Sequence, residues 1–205
     1  MGQPVLTATL SLAIAVTFTA AIAIVTLTAE MLSRVAKLIG VVAVIAFAVV
    51  ALQRANLRIN FTGSMPIGIY LLLPLQPNGV KRGMLVATCA PAPAAEMGRQ
   101  RAYLGVGPCA DGTELLLKYV MAIGGDGIDV NAAAVVVNGH LLHHSQPALR
   151  DRTGRRLAPW PRGLYRLTEG EVWLYAPNDR SWDSRYWGPA VSGDIVAKAV
   201  PLFPF

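Results

Sequence analysis

Two long uncharged apolar runs at the start of the chain constrain its folding more than any other feature. Residues 5–28 form a run of 24 residues without a charged side chain, long enough to cross a bilayer as a helix. Residues 38–52 form a second uncharged run of 15 residues. This run reaches spanning length if it begins near residue 35 and Lys37 extends back to the interface. We therefore predict a membrane anchor in residues 1–53, with transmembrane helices at about 5–28 and 35–53.

A cleavable signal peptide is the alternative interpretation of the first run. The residues before it contain no Lys or Arg, and the run is longer than a usual signal-peptide core, which favours a retained helix. Arg34 and Lys37 lie in the connector between the two runs. Because positive charges favour the cytoplasmic side, residues 54–205 are predicted to form a domain on the outer side of the membrane.

The composition of this outer domain limits its partners. It contains 16 of the 18 Lys and Arg residues and 11 of the 12 Asp and Glu residues, so it is basic. A basic surface suits an anionic bilayer, and the absence of a nucleic-acid recognition motif argues against a nucleic-acid partner. Both cysteines, Cys89 and Cys109, lie in this domain, where an oxidising compartment favours a disulfide. Two unpaired thiols remain the alternative.

Short apolar runs separated by turns predict that the outer domain is mainly β. Asn138-Gly139 is a strong signal for a hairpin turn. Residues 54–63 are interpreted as an exposed lead-in from the membrane, and residues 145–162 as a charged loop. The arginines of that loop are predicted to be solvated, with contact to anionic lipid as the alternative; they are Arg150, Arg152, Arg155 and Arg156. The apolar runs are residues 68–73, 84–88, 115–123, 171–175 and 195–200.

Three polar features stand out from this background. Ser64 lies between Gly63 and a nearby proline, in a turn that can expose its hydroxyl. Lys118 interrupts an apolar run, either because its strand is at an edge or because an apolar site lowers its pKa and makes it a usable base. Residues 179–188 alternate polar groups with large aromatic residues, which indicates either a buried network or an exposed loop anchored by its rings.

The order of these features resembles the signal peptidase I family. A membrane segment is followed by Gly-Ser-Met-Pro, then by Lys118 with Gly125 and Asp126 after it, and then by Asp-Ser-Arg-Tyr-Trp-Gly. The resemblance implies a β-rich serine peptidase of the bacterial inner membrane with its catalytic domain on the periplasmic side. It implies that Ser64 is the nucleophile and Lys118 its general base. The supporting residues that it implies are Thr62 for the oxyanion, Ser181 to orient the lysine, Asp183 and Arg185 as a pair behind the site, and Asp126 to hold a turn.

Within that family the chain is most similar to the TraF-like peptidases of conjugative transfer. The sequence Ser-Met-Pro-Ile-Gly-Ile-Tyr after the nucleophile, the paired cysteines and the short outer domain carry this likeness. It implies maturation of a pilin or another exported protein, bound in extended conformation, with cyclisation of the pilin as a further outcome. A general type I signal peptidase is one alternative, and a structural component without activity is another. No cofactor and no metal are expected.

Overall fold

The computed structural model describes residues 31–51, 56–76 and 79–204 in two compact units, Met1–Arg54 and Ala55–Phe205. In the first unit, helix α1 covers Met31–Ala51, and its most apolar stretch has a mean hydropathy of 2.3 with none of it buried. The helix is long and apolar enough to cross a membrane, and it is also compatible with a signal sequence. It includes Arg34 and Lys37, so it begins earlier than the second predicted span. The first predicted span, residues 5–28, lies outside the described residues.

The second unit is built from two antiparallel sheets, which confirms the prediction of a mainly β domain. A seven-stranded sheet has the order β1-β2-β11-β3-β4-β9-β10, and a four-stranded sheet has the order β7-β6-β5-β8. Two short helices complete the unit. The large sheet contains β1 (Leu57–Asn60), β2 (Gly68–Leu73), β3 (Leu85–Thr88), β4 (Leu116–Ile123), β9 (Glu171–Tyr175), β10 (Ala190–Val191) and β11 (Ile195–Pro204). The small sheet contains β5 (Gly127–Val130), β6 (Val135–Val137), β7 (His140–Leu141) and β8 (Gly163–Arg166), and the helices are α2 (Ala92–Gln100) and α3 (Ser184–Trp187).

Strand β4 lies inside the large sheet, between β3 and β9. Its apolar residues are buried on both faces. Val120 of this strand and Trp173 of the neighbouring β9 are both fully buried. A strand with neighbours on both sides and cover on both faces has a continuous apolar sequence, as this one does. Lys118 lies within this strand, opposite Val86 of β3. The edge-strand interpretation of Lys118 is therefore wrong.

One segment interpreted as irregular contains a strand, and another is followed by one. Residues 54–63 include β1, which pairs with β2 from Leu57 opposite Leu71 to Asn60 opposite Gly68. The charged loop is followed closely by β8, which pairs with β5. Both strands are four residues long and contain exposed or polar side chains. Their composition therefore does not predict them, and only their pairing with a neighbouring strand identifies them. The Asn138-Gly139 turn joins β6 to β7 as predicted, with both residues at positive φ.

A disulfide joins Cys89, one residue after β3, to Cys109, in the segment that leads to β4. The predicted pairing is confirmed. The bridge closes a loop that contains α2, and Cys109 packs in the core beside Leu115 and Leu117. Closing a loop of this length restricts the unfolded chain and contributes about 3 kcal/mol to stability in the chain-entropy model.

Candidate active site

The loop from β1 to β2, residues 61–66, carries Ser64 and is called the nucleophile loop below. The buried side chain of Asn60 organises it: Nδ2 donates to the carbonyls of Thr62 at 3.0 Å, Met65 at 3.1 Å and Pro66 at 3.0 Å. The Oδ1 of the same amide accepts from the hydroxyl of Thr62 at 2.8 Å. One side chain therefore binds three carbonyls and a hydroxyl of this loop.

The hydroxyl of Ser64 lies 3.2 Å from the hydroxyl of Thr62. Thr62 has a single hydroxyl proton, and that proton points to the Asn60 oxygen, which can only accept. Ser64 is therefore the donor in the contact between the two hydroxyls. Thr62 must rotate away from Asn60 before its hydroxyl can donate to any other oxygen.

Contacts with the rest of the domain hold the nucleophile loop from two sides. The side chain of Met65 is buried in the core, and the hydroxyl of Tyr70 donates to the Pro66 carbonyl at 2.6 Å. From the far side, Nδ2 of Asn178 donates to the Gly63 carbonyl at 2.8 Å. Ser64 is half-buried between these two anchoring points.

Lys118 is 1% exposed, although its side chain can carry a charge. Burial lowers the pKa of its amine from 10.5 to about 8, because the ammonium form loses its hydration. Asp183 opposes this effect and Arg185 adds to it, both to a smaller extent. The amine makes no hydrogen bond with any of the described residues, and none joins it to Ser64. A substantial fraction of this lysine is therefore neutral near pH 8.

Residues 181–185, called the motif segment below, are buried behind the site. The guanidinium of Arg185 forms a two-pronged ion pair with Asp183, with both nitrogen–oxygen distances at 2.8 Å and both side chains fully buried. Arg185 also donates to the carbonyls of His144 at 2.9 Å and Asn178 at 2.6 Å, and lies over the ring of Tyr175. The predicted Asp183–Arg185 pair is present, and it joins three segments of the chain.

Ser181 stands at the start of the motif segment and is 2% exposed. Its backbone N–H donates to the Asn178 carbonyl at 3.0 Å, but its buried hydroxyl has no hydrogen-bond partner among the described residues. An unpaired buried hydroxyl is unfavourable, which is why such groups often mark a functional site. No hydrogen bond joins it to Lys118, so its predicted role in orienting the amine stays a prediction.

A cavity of about 550 Å³ brings four of the predicted residues together. Thr62, Ser64, Lys118 and Ser181 all line it, together with several arginine residues. The cavity thus holds a hydroxyl and an amine of lowered pKa, the two groups needed to activate a serine nucleophile. Asp183 and Arg185 do not line the cavity and support it from behind.

Asp126 lies away from this cavity and holds the turn after β4, as predicted. Its carboxylate accepts from the N–H of Ile123 at 2.9 Å, from Nδ2 of Asn138 at 2.7 Å and from the guanidinium of Arg82. These contacts, the Arg82 hydrogen bond above all, keep the pKa of the carboxyl well below its usual value. The cysteines likewise lie outside the cavity lining, and the structural role predicted for Asp126, Cys89 and Cys109 stays a prediction. Within residues 31–51, 56–76 and 79–204, no group of three or more His, Cys, Asp or Glu side chains is placed to hold a metal.

Sequence reasoning misses two residues of the site, Asn60 and Asn178. Asn60 precedes Ser64 by four residues but sits in the segment interpreted as a lead-in, and Asn178 stands in the approach to the last motif. A polar residue at the end of a short alternating segment is a weak signal. Only the pairing of β1 with β2 shows that Asn60 faces the loop.

The family model for signal peptidases, peptidase S26, matches residues 28–203 of this chain. The chain belongs to the peptidase S26 family. The cavity described above therefore belongs to a member of a peptidase family. The matched residues extend from α1 into β11.

Similar proteins are found among those named for conjugal or plasmid transfer. The "Probable conjugal transfer protein TraF" of Sinorhizobium fredii is 35% identical over 150 residues, which is 72% of this chain and 77% of that protein. The "Conjugal transfer protein TraF" of Agrobacterium fabrum is 33% identical, covering 72% of this chain and 82% of that protein. A "Plasmid transfer protein TraF" of Escherichia coli is 33% identical, covering 72% and 83%. A crystal structure of a signal peptidase I from Enterococcus faecalis aligns with a TM-score of 0.34 and 14% identity, covering 60% of this chain and 97% of that one.

Proposed function

We propose that this chain is a membrane-anchored serine endopeptidase that matures a pilin or another exported protein for conjugative transfer. The observation that carries the proposal is the presence of Ser64 and the buried Lys118 in one cavity. The names of the relatives support the role in transfer, and α1 supports an anchor. The catalytic domain acts on the periplasmic side of a bacterial inner membrane.

In the proposed mechanism the Lys118 amine, in its neutral form, accepts the proton of the Ser64 hydroxyl as that oxygen attacks the scissile carbonyl. The tetrahedral oxyanion is stabilised by the backbone N–H of Ser64 and by the Thr62 hydroxyl after it rotates away from Asn60. The ammonium of Lys118 then returns the proton to the leaving amine. A side-chain rotation on substrate binding brings the Lys118 amine to the Ser64 hydroxyl, since catalytic hydrogen bonds often tighten only in the complex.

The acyl-enzyme on Ser64 has two chemical fates. Attack by water releases a linear product with a new carboxyl terminus. Attack by the amino terminus of the same product releases a cyclic chain that is lighter by one water. Both fates use Lys118 as the base, so the residues of the site serve either outcome.

The test is processing of a co-expressed pilin precursor, read by intact mass. Wild type should give mature product, and its mass separates the linear from the cyclic form. Ser64→Ala and Lys118→Met should each lower the rate by about a thousandfold or more. Ser192→Ala and Lys198→Met, which change residues outside the cavity lining, are the matched controls and should process at the wild-type rate.

The proposal also fixes the pH dependence. Only neutral Lys118 acts as the base, so the processing rate should rise with pH, reach half its maximum near pH 8 and level off above it. A rate that is independent of pH between 6 and 10, or a Lys118→Met variant that matures pilin normally, would contradict the Ser64–Lys118 mechanism. Trimming of ordinary preproteins with no effect on pilin would assign the chain to general signal peptidases instead.

A further inference from the structure

The arginines of the charged loop belong to an ordered hairpin, residues 149–157, called the arginine hairpin below. A β-bridge pairs the backbones of Arg150 and Arg156, so the loop is ordered, while all four of its arginines are exposed as expected. The carboxylate of Asp151 holds the hairpin by accepting from the Tyr103 hydroxyl at 2.6 Å, from Nε of Arg155 at 2.7 Å and, through its other oxygen, from the Thr153 hydroxyl at 2.9 Å. The hairpin is thereby fixed against the segment that follows α2.

Residues of this hairpin line the cavity that contains Ser64. The charged residues lining the cavity besides Lys118 are Arg101, Arg150, Arg152, Arg155, Arg180, Glu114 and Asp151. Both carboxylates already have cationic partners: Arg58 lies 3.4 Å from Glu114, and Asp151 pairs with Arg155. The lining therefore carries an excess of positive charge.

Two of these arginines are exposed and have no acidic partner within the described part of the chain. Arg152 lies at the tip of the arginine hairpin, and Arg180 lies directly before Ser181. A guanidinium without a partner offers a planar fork of N–H donors, which matches the two oxygens of a carboxylate. A cavity lined by one sign of charge also concentrates ligands of the opposite sign.

We propose that Arg152 and Arg180 form a subsite that binds a carboxylate of the substrate peptide in the same cavity as Ser64. The carboxylate is that of an acidic side chain near the scissile bond or that of a nearby chain terminus. This inference rests on the proposed peptidase function, and it adds the substrate class: peptides that carry negative charge beside the cleavage point. The volume of about 550 Å³ lies in the range of pockets that enclose a small ligand, so the cavity can hold a short peptide segment.

The test measures peptide binding to the full chain carrying Ser64→Ala, in neutral-detergent micelles at low salt, by fluorescence polarisation with an uncharged dye. Three short alanine-based peptides are compared. The first is neutral, with a glutamine and an amidated terminus; the second replaces the glutamine by glutamate; the third keeps the glutamine and has a free terminal carboxylate. At least one charged peptide should bind about five- to tenfold more tightly than the neutral one, and added salt should shrink this ratio.

The charged peptide that binds more tightly identifies the source of the carboxylate. In the same background, Arg152→Gln combined with Arg180→Gln should reduce the affinity ratio to about one. Arg166→Gln, at an exposed arginine of β8 outside the cavity lining, is the matched control and should leave the ratio intact. Equal melting temperatures of the variants show that each one is folded.

Equal affinities for the three peptides, or an equal loss of the ratio in the Arg166→Gln control, would overturn the subsite. It would also be overturned if the double variant kept the ratio but lost binding to phosphatidylglycerol in mixed micelles, because the arginines would then belong to a membrane surface. The binding assay does not depend on cleavage. A normal ratio with a wild type that cleaves no precursor would refute the peptidase proposal alone, whereas cleavage with equal affinities would refute the subsite alone.

Discussion

The nucleophile loop and the motif segment flank the same site but are held in opposite ways. The loop is mostly exposed, with Phe61 at 76%, and depends on the amide of Asn60. The motif segment is buried throughout, and its ion pair between Asp183 and Arg185 reaches several carbonyls of other segments. The first arrangement leaves the Ser64 hydroxyl accessible to substrate. The second holds the motif segment in place through its buried ion pair.

The difference shows where stability and activity are separable in this domain. A residue of the motif segment supports the fold, because removing it leaves a buried charge unpaired. A residue of the nucleophile loop supports mainly the position of Ser64. Lys118 lies between the two, because it is buried like the motif segment but is required in the proposed reaction.

The largest effect is expected from breaking the buried ion pair. Asp183→Ala should lower the free energy of unfolding by about 3–5 kcal/mol, because Arg185 then remains charged and buried without its partner. Denaturant unfolding of the detergent-solubilised protein measures this change. Arg99→Ala, which breaks an exposed pair with Glu96, is the control and should cost less than about 1 kcal/mol. Equal effects of the two substitutions would show that the buried ion pair contributes no more to stability than the exposed one.

Lys118→Met should have the opposite sign. The pKa of the amine is about 8 in the folded chain, against 10.5 for a fully hydrated lysine, so the buried ammonium lowers stability by about 3 kcal/mol below pH 8. The variant should therefore unfold at higher denaturant concentration at pH 7 while it loses processing activity. Wild-type stability should rise between pH 8 and 10.5, where only the unfolded chain binds the proton, and the variant should lack this rise. A destabilised variant would show that burial does not disfavour the charged form of Lys118.

Asn60→Ala tests how the nucleophile loop is held. Its buried amide makes several hydrogen bonds, so its loss should lower the free energy of unfolding by about 1–3 kcal/mol. The processing rate should fall by about tenfold or more, because Ser64 loses its fixed position. Asn131→Ala is the matched control, since that asparagine holds a turn of the small sheet through the N–H groups of Ala133 and Ala134. Equal rates in the two variants would rule out a positioning role for Asn60.

Asn178→Ala should have the smallest effect. It removes two exposed hydrogen bonds, one from Nδ2 of Asn178 to the Gly63 carbonyl and one from the Arg180 N–H to Oδ1 of Asn178, together worth about 1–2 kcal/mol. Because the first bond joins the nucleophile loop to the segment before Ser181, we expect a reduced processing rate with little change in unfolding. A stability loss as large as that of Asp183→Ala would show that the loop and the motif segment form one unit.

The residues of the candidate site that belong to short motifs are predicted through the order of those motifs and the resemblance to signal peptidase I, since each local signal alone leaves an alternative open. Ser64 and Lys118 stand out because a serine in a turn and a charge in an apolar strand are visible within a few positions. The β-rich class and the disulfide also follow from local runs and from the cysteine count. These features depend on neighbours in sequence, which is why the sequence alone indicates them.

The features that sequence reasoning misses depend on contacts between distant segments. Asn60 takes its role from the pairing of β1 with β2, and the order of the arginine hairpin comes from the contact of Asp151 with Tyr103. Thr62 must rotate before it can donate to another oxygen, because it donates its single hydroxyl proton to Asn60. No local pattern contains these facts, because each one requires the register of a strand or the position of a second segment.

Strand β2, which follows the nucleophile loop directly, pairs along its length with β11, the last strand of the chain. Pairing of segments from the two ends of a domain has a high contact order and is slow, since a long loop must close first. During synthesis β11 is made after every other strand that the structure describes. The nascent chain therefore carries Ser64 beside an incomplete sheet until β11 pairs with β2.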